Sequence, residues 1–251
     1  MGDLSIPLAD GRSYRLVGGH RLWTAPEVPE ITYEPDDQPV AVDVSPTRLQ
    51  VAQASDGRVD IAKALSVALR DSGVEVVHRI TNRGATPKTL APWAITQLPV
   101  GGTAVIPLSR DNADPDGLQP NAEIVLWPYT GVADTSFEIA DRYLLVGGSR
   151  AEPTKVGTRL DRGWMAYVNE GLAFVKWSDH LPSAAYPDRG ASAQCYSGPD
   201  FVELETLGPL VSLEPGESTE HREFWRLHQI SPDTPPTEVS ALLVLDGGNP
   251  L

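Results

Sequence analysis

The chain has 251 residues and a formal net charge of −14, with hydrophobic residues at 41 %. It is long enough for one large domain with a sizeable core and too apolar to be disordered. A field of that sign repels nucleic acid and anionic membrane surfaces, so neither is expected as a partner. The 22 Gly and 23 Pro are spread along the whole chain, which suits many short strands joined by turns. Cys195 is the single cysteine, so no intrachain disulfide can form, and a small buried residue is its expected role. No apolar run approaches the length of a membrane span, and no basic segment followed by an apolar one opens the chain. A cytoplasmic location is the resulting expectation.

In chain order, the first informative segment is Gly18-Gly19-His20-Arg21-Leu22-Trp23, followed by Ala25-Pro26-Glu27. It collects an imidazole, a guanidinium, an indole and a carboxylate. Sugars are recognised by that mixture, planar polar groups for hydroxyl pairs and a ring for the C–H face. Each residue also has a structural reading, Trp23 as core and Glu27 as surface acid. Val59 to Arg70 fits either a strand or a helix. The strand is preferred because Val74 to Thr81 follows a short Asp71-Ser72-Gly73 turn and would pair with it as a hairpin. On that hairpin, His78 alternates with Val76 and Ile80 and reads as a core histidine. Asn82-Arg83-Gly84 and Gly147-Gly148 offer residues that tolerate positive φ, and Pro-Asp pairs at 115, 187 and 232 mark turns.

Further strands are expected at Trp93 to Leu98, Trp164 to Val168, Leu172 to Trp177, Phe201 to Leu207 and His221 to His228. Trp93 and Gln97 share one face, and Gln97 can both donate to and accept from a hydroxyl. Lys176 lies in an apolar strand, as an edge gatekeeper or as the inward partner of a carboxylate. Asp179-His180 would form an acid/base pair only if the fold turned both to one site. His221 and His228 read as structural. In Phe201 to Leu207, Glu203 and Glu205 face one side while Val202, Leu204 and Thr206 face the other. Two carboxylates at that spacing repel, which raises the pKa of one toward a general base; a solvated sheet face is the plain alternative. A helix is expected over Thr237 to Leu245, after Pro235-Pro236 and before Gly247-Gly248. Phosphate-cradling, nucleophile-elbow and metalloprotease motifs are absent from the sequence, and nothing calls for a cofactor or a metal ion.

Taken together, Gly18 to Trp23, Ala25 to Glu27, Ala91-Pro92-Trp93-Ala94-Ile95-Thr96-Gln97, Tyr186-Pro187-Asp188, Glu203 to Leu210, Pro215-Gly216-Glu217 and Trp225 carry a resemblance. In that order they resemble a bacterial domain family of unassigned function in the galactose mutarotase-like (aldose 1-epimerase) superfamily, over roughly Gly18 to Leu227. The resemblance implies an all-β fold, a β-supersandwich of large antiparallel sheets with few short helices, as a single domain over residues 1–251. Only 17 residues precede Gly18, so it also implies a shortened first part and an open sheet edge available to a second subunit.

Mutarotases take the anomeric proton with a late Glu and protonate the ring oxygen with a His, and Glu205 in Glu205-Thr206 matches that Glu. The histidine's motif has no counterpart, so His20 or His180 is the expected acid. Arg21, Trp23, Glu27, Trp93, Gln97, Lys176 and Glu203 are the expected substrate contacts. The leading expectation is an aldose 1-epimerase-like isomerase acting on a small carbohydrate. A carbohydrate-binding module without turnover and a polysaccharide lyase or hydrolase on the same fold are the alternatives.

Overall fold

A computed structural model describes residues 4–53, 58–108, 116–131, 133, 135–140, 142–148, 152–245 and 250. Two antiparallel sheets form it, one of ten strands and one of seven. In spatial order the large sheet runs Phe137–Ala140, Tyr143–Gly147, Thr103–Pro107, Trp164–Asn169, Leu172–Ser178, Ser218–Gln229, Gly73–Asn82, Ile61–Arg70, Arg48–Gln53 and Ala41–Ser45. The small sheet runs Val125–Leu126, Thr154–Thr158, Ala193–Ser197, Val202–Leu207 and Lys88–Leu98. His20–Ala25 pairs along the far side of Lys88–Leu98, and Val211–Leu213 continues the line of Val202–Leu207 against its first residues.

The expected hairpin is present. Ile61–Arg70 pairs with Gly73–Asn82 in a register that sets Arg70 opposite Gly73 and leaves Asp71-Ser72 at the turn. The helical spacing within Ile61–Arg70 is overridden because its neighbour completes the ladder, and both faces of the strand are then part-covered. The C-terminal helix is present as well, a 3₁₀ turn at Pro236–Glu238 leading into Val239–Leu245. Gly247-Gly248 and Pro115 fall outside the described residues.

Gly84, Gly147 and Gly148, which tolerate positive φ, do not adopt it. Gly148 is instead required by close approach: a Cβ there would meet the Tyr167 hydroxyl at 2.6 Å and the Gly102 carbonyl at 2.9 Å. Positive φ occurs at Asp188, within the turn expected at Pro187-Asp188.

The sheets pack face to face. Ala104, Ile106, Leu144, Val146 and Met165 of the large sheet meet Val156, Cys195, Val202 and Leu204 of the small one, all fully buried. Leu22, Ile61, Ile80, Leu90 and Leu213 continue this layer. The outer face of the large sheet buries Val105, Ala166, Val175, Trp177 and Phe224 under Val239 and Leu243 of the C-terminal helix. A separate two-stranded hairpin, Leu4–Pro7 with Ser13–Leu16, joins neither sheet. Tyr14 and Leu16 of that hairpin pack on Trp23, Trp93, Ile95 and Leu207, the outer face of the small sheet.

Truncating a fully buried branched side chain in the interlayer removes contacts that its neighbours cannot recover. Ile106→Ala is expected to lower unfolding free energy by about 2–5 kcal/mol, read from the shift of a urea denaturation midpoint at unchanged m-value.

Candidate functional site

Register fixes which side chains meet. Glu205 lies opposite Ile95, Glu203 opposite Gln97, and Arg21 opposite Ile95 from the other side. Alternation therefore sends Arg21, Trp23, Trp93, Gln97, Glu203 and Glu205 to the outer face of the small sheet. His20, Thr96, Leu204 and Thr206 point the other way, into the interlayer. Apart from His180, the sequence-derived candidates thus divide between two polar clusters on opposite sides of one sheet.

On the outer face, Arg21 donates to Glu203 Oε1 at 2.6 Å, and Gln97 donates to the same oxygen at 2.9 Å. Glu205 Oε2 accepts from the Trp93 indole at 2.7 Å and from Lys155 Nζ at 2.8 Å. The Lys155 ammonium also lies 4.6 Å from the Trp93 ring centre and 4.7 Å from that of Trp127. Arg21 stacks on Trp23 at 4.3 Å. Glu205 is completely buried, and its second oxygen, Oε1, has no hydrogen-bond partner among the described residues. Burial pushes the Glu205 carboxyl up, with the Lys155 charge opposing and the Glu203 charge adding to the rise. Glu203 and Glu205 are thus a buried, partnered pair, and the solvated-face alternative does not describe them.

The rim of this face comes from segments distant in sequence. The Tyr33 hydroxyl donates to Glu27, which is exposed. Burial pushes the pKa of Tyr129, which is 49 % exposed, upward, and the charges of Glu205, Glu27 and Glu203 add to the rise, so it stays protonated. Lys155, Trp127 and Tyr129 were not singled out from the sequence. The local signal is the aromatic pair around Pro128 in Trp127-Pro128-Tyr129. Nothing local places Lys155 there: the neighbouring strand Ala193–Ser197 does, by setting Lys155 opposite Tyr196.

His20 and Lys176 belong to the second cluster. Lys176 and Glu223, both fully buried, pair at 2.7 Å, and Lys176 also donates to the Leu204 carbonyl and Thr96 Oγ1, each at 3.1 Å. His78 Nδ1 lies 2.9 Å from the His221 carbonyl and must carry the proton there, so His78 Nε2 accepts from His20 Nε2 at 2.6 Å. His20 Nδ1 then accepts from the Thr96 hydroxyl at 2.9 Å. Thr206 donates to Glu223 and receives the His221 Nε2 proton at 2.7 Å, while the Trp225 indole holds the other Glu223 oxygen at 2.8 Å. Lys176 is therefore the inward partner of a carboxylate. His78 is a satisfied core histidine, as its spacing indicated.

Burial would raise Glu223, yet Lys176 and the three imidazoles hold it well below the usual carboxylate range. Burial lowers His20 and His78, and it lowers His221 to about 3. Among the described residues, His20, His78 and Glu223 could hold a metal ion, their ligand atoms lying within 4.8 Å of one another. Those atoms already bond to each other or to Trp225, Thr206 and Lys176, so a cation would have to displace that network. His180 is remote from both clusters. It bonds Ser192 through Nδ1 at 3.0 Å, faces Asp161 through Nε2 at 3.2 Å and stacks on Tyr186. It does not pair with its sequence neighbour Asp179.

Neither a protein-family model nor a curated protein matches the chain. Solved structures match its fold. A proposed aldose 1-epimerase from Escherichia coli K12 superposes with a TM-score of 0.55 at 17 % identity, over 89 % of this chain and 78 % of that one. A galactose mutarotase-like protein from Lactobacillus casei gives 0.52 at 12 % identity, over 88 % and 91 %. A protein from Synechocystis sp. PCC 6803 gives 0.53 at 15 % identity, over 90 % and 73 %. The chain has the galactose mutarotase-like fold. No helix among the described residues is long and apolar enough to cross a membrane.

An imidazole whose folded pKa lies below its unfolded value binds protons more readily when unfolded. Stability linked to it is full above pH 6.5 and declines as pH falls toward the folded value, about 3 for His221. Urea midpoints are expected to hold steady from pH 8 to 7 and drop below pH 6.5, each such imidazole contributing a slope of up to about 1.4 kcal/mol per pH unit.

Proposed function

We propose that the outer face of the small sheet binds an aldose and that Glu205 acts there as general base in 1-epimerisation. The observation that carries this reading is the Glu205 carboxyl. It is buried, raised in pKa and held through Oε2, while Oε1 has no partner among the described residues. A base poised in that way takes a proton from an anomeric hydroxyl, and ring opening follows when the ring oxygen receives one. Glu203, clamped by Arg21 and Gln97, supplies an adjoining row of hydroxyl acceptors and donors. Trp23 and Trp93 supply aromatic surface beneath it. The Lys155 ammonium is the proton carrier in contact with Glu205. The fold shared with the E. coli and L. casei structures supports the reading at the level of architecture.

Complete burial of Glu205 favours a second reading, a carbohydrate-binding module without turnover in which Glu205 and Lys155 are structural. Polarimetry separates the two. Catalysed mutarotation of a freshly dissolved α-aldose is expected for the parent chain. Glu205→Gln is expected to slow it about 10²-fold or more while sugar binding persists. Absence of catalysis with any common aldose, binding retained, would leave the module.

A further inference from the structure

The chain contains 16 arginines and only four lysines, at 63, 88, 155 and 176. Arginine carries the surface charge, so each lysine position can be read individually. Arginine does not give up its proton in a protein, whereas lysine does and then becomes a nucleophile. Lys155 and Lys176 are ion-paired with Glu205 and Glu223. Lys88 begins the central strand of the small sheet and is part-exposed.

Lys63 is different. It projects from the inner face of the large sheet, opposite Ile80 in the ladder, toward the open edge where the small sheet ends at His20–Ala25. Its stem is partly exposed, but its ammonium nitrogen is buried and has no hydrogen-bond partner among the described residues. A cavity of about 150 Å³ opens on it, walled by Arg21, His20, Asp36, Gln53 and Leu65. Such an arrangement is costly for an ammonium group, since a buried charge without a hydrogen-bonded partner loses hydration that nothing replaces. It suits a neutral amine. Burial and the Arg21 charge both push Lys63 below its ordinary value, against the pull of Asp36 and Glu34.

From the unpartnered nitrogen, the cavity in front of it and the carboxylate in its wall, we propose that Lys63 is the amine of an imine-forming site for a small aldehyde or ketone. A three- or four-carbon carbonyl compound matches the cavity in size, and the chemistry is independent of Glu205. The Lys63 lone pair attacks the carbonyl carbon, forming the C–N bond as the C=O π pair moves to oxygen. Asp36 shuttles the nitrogen's proton to that oxygen, giving a carbinolamine. A second proton transfer from nitrogen to the hydroxyl expels water and leaves the C=N bond. Amine plus carbonyl gives imine plus water, with no oxidant or reductant.

Cyanoborohydride trapping reads this directly. The full chain is incubated near neutral pH with glyceraldehyde and cyanoborohydride, and adducts are located by peptide mass mapping. Lys63 is expected to be labelled about tenfold or more faster than Lys88, because burial and the Arg21 charge leave a larger share of its amine unprotonated. The fast adduct is expected to vanish in Lys63→Met and in Lys63→Arg, neither of which offers a nucleophilic amine, and to persist in Lys88→Arg. Labelling of Lys88 at or above the rate of Lys63, or an undiminished fast adduct in Lys63→Arg, would overturn the proposal. Mapping on the unsubstituted chain decides the matter even where a variant fails to fold. Mutarotation assays of the same preparations report on Glu205 separately.

Discussion

The sandwich is held together at its centre by an ion pair rather than by hydrocarbon alone. Lys176 leaves the large sheet, pairs with Glu223 on the adjacent strand and bonds the backbone of the small sheet at Leu204. Charges in such a place are tolerated only when every proton and lone pair finds a partner, and loss of one member of a buried pair costs about 3–5 kcal/mol. That requirement explains the surroundings. Thr96, Thr206, Trp225 and three imidazoles lie there because Lys176 and Glu223 must be saturated. An apolar interlayer would let the sheets slide on each other; a hydrogen-bonded network permits one alignment.

This alignment fixes what the other side of the small sheet can present. Thr96 and Thr206 point into the network, so Ile95, Gln97 and Glu205 must point out. A single-residue slip of Val202–Leu207 would bring both glutamates into the interlayer beside Glu223. The outer face is therefore defined from behind, by a cluster that does not touch it.

Sequence alternation made much of this legible. The half-buried strands, the hairpin at Asp71-Ser72, the C-terminal helix and the shared face of Trp93, Gln97, Glu203 and Glu205 all follow from period and turn chemistry, because each depends on neighbours in the chain. Cross-sheet relations were not legible. His20 and Arg21 are adjacent in sequence, and the same alternation that unites Glu203 with Glu205 separates them onto opposite faces. Which face His20 shares with which partner depends on its pairing to Thr96, a non-local fact. Lys176 likewise resolves into a partner for Glu223 only once Leu172–Ser178 is laid beside Ser218–Gln229. Lys155 and Tyr129 enter the outer face through strand order and a loop, which no short-range pattern encodes.

The hairpin of Leu4–Pro7 and Ser13–Leu16 has a further effect. It rests on Trp23 and Trp93, is fastened by Arg12 to Glu34 at 2.6 Å and by Tyr14 to Asp36 at 3.0 Å, and connects to His20–Ala25 through Gly18 and Gly19, both at positive φ. Any molecule that seeks the indoles beneath must compete with Tyr14 and Leu16 for the same surface. Its apparent dissociation constant is the intrinsic one divided by the fraction of molecules with the hairpin lifted. Every 1.4 kcal/mol of hairpin docking thus weakens apparent affinity about tenfold. For a ligand of the proposed kind, the strength of that fastening would be a dial on affinity, adjustable at Arg12 or Glu34 without altering one atom of the sheet face.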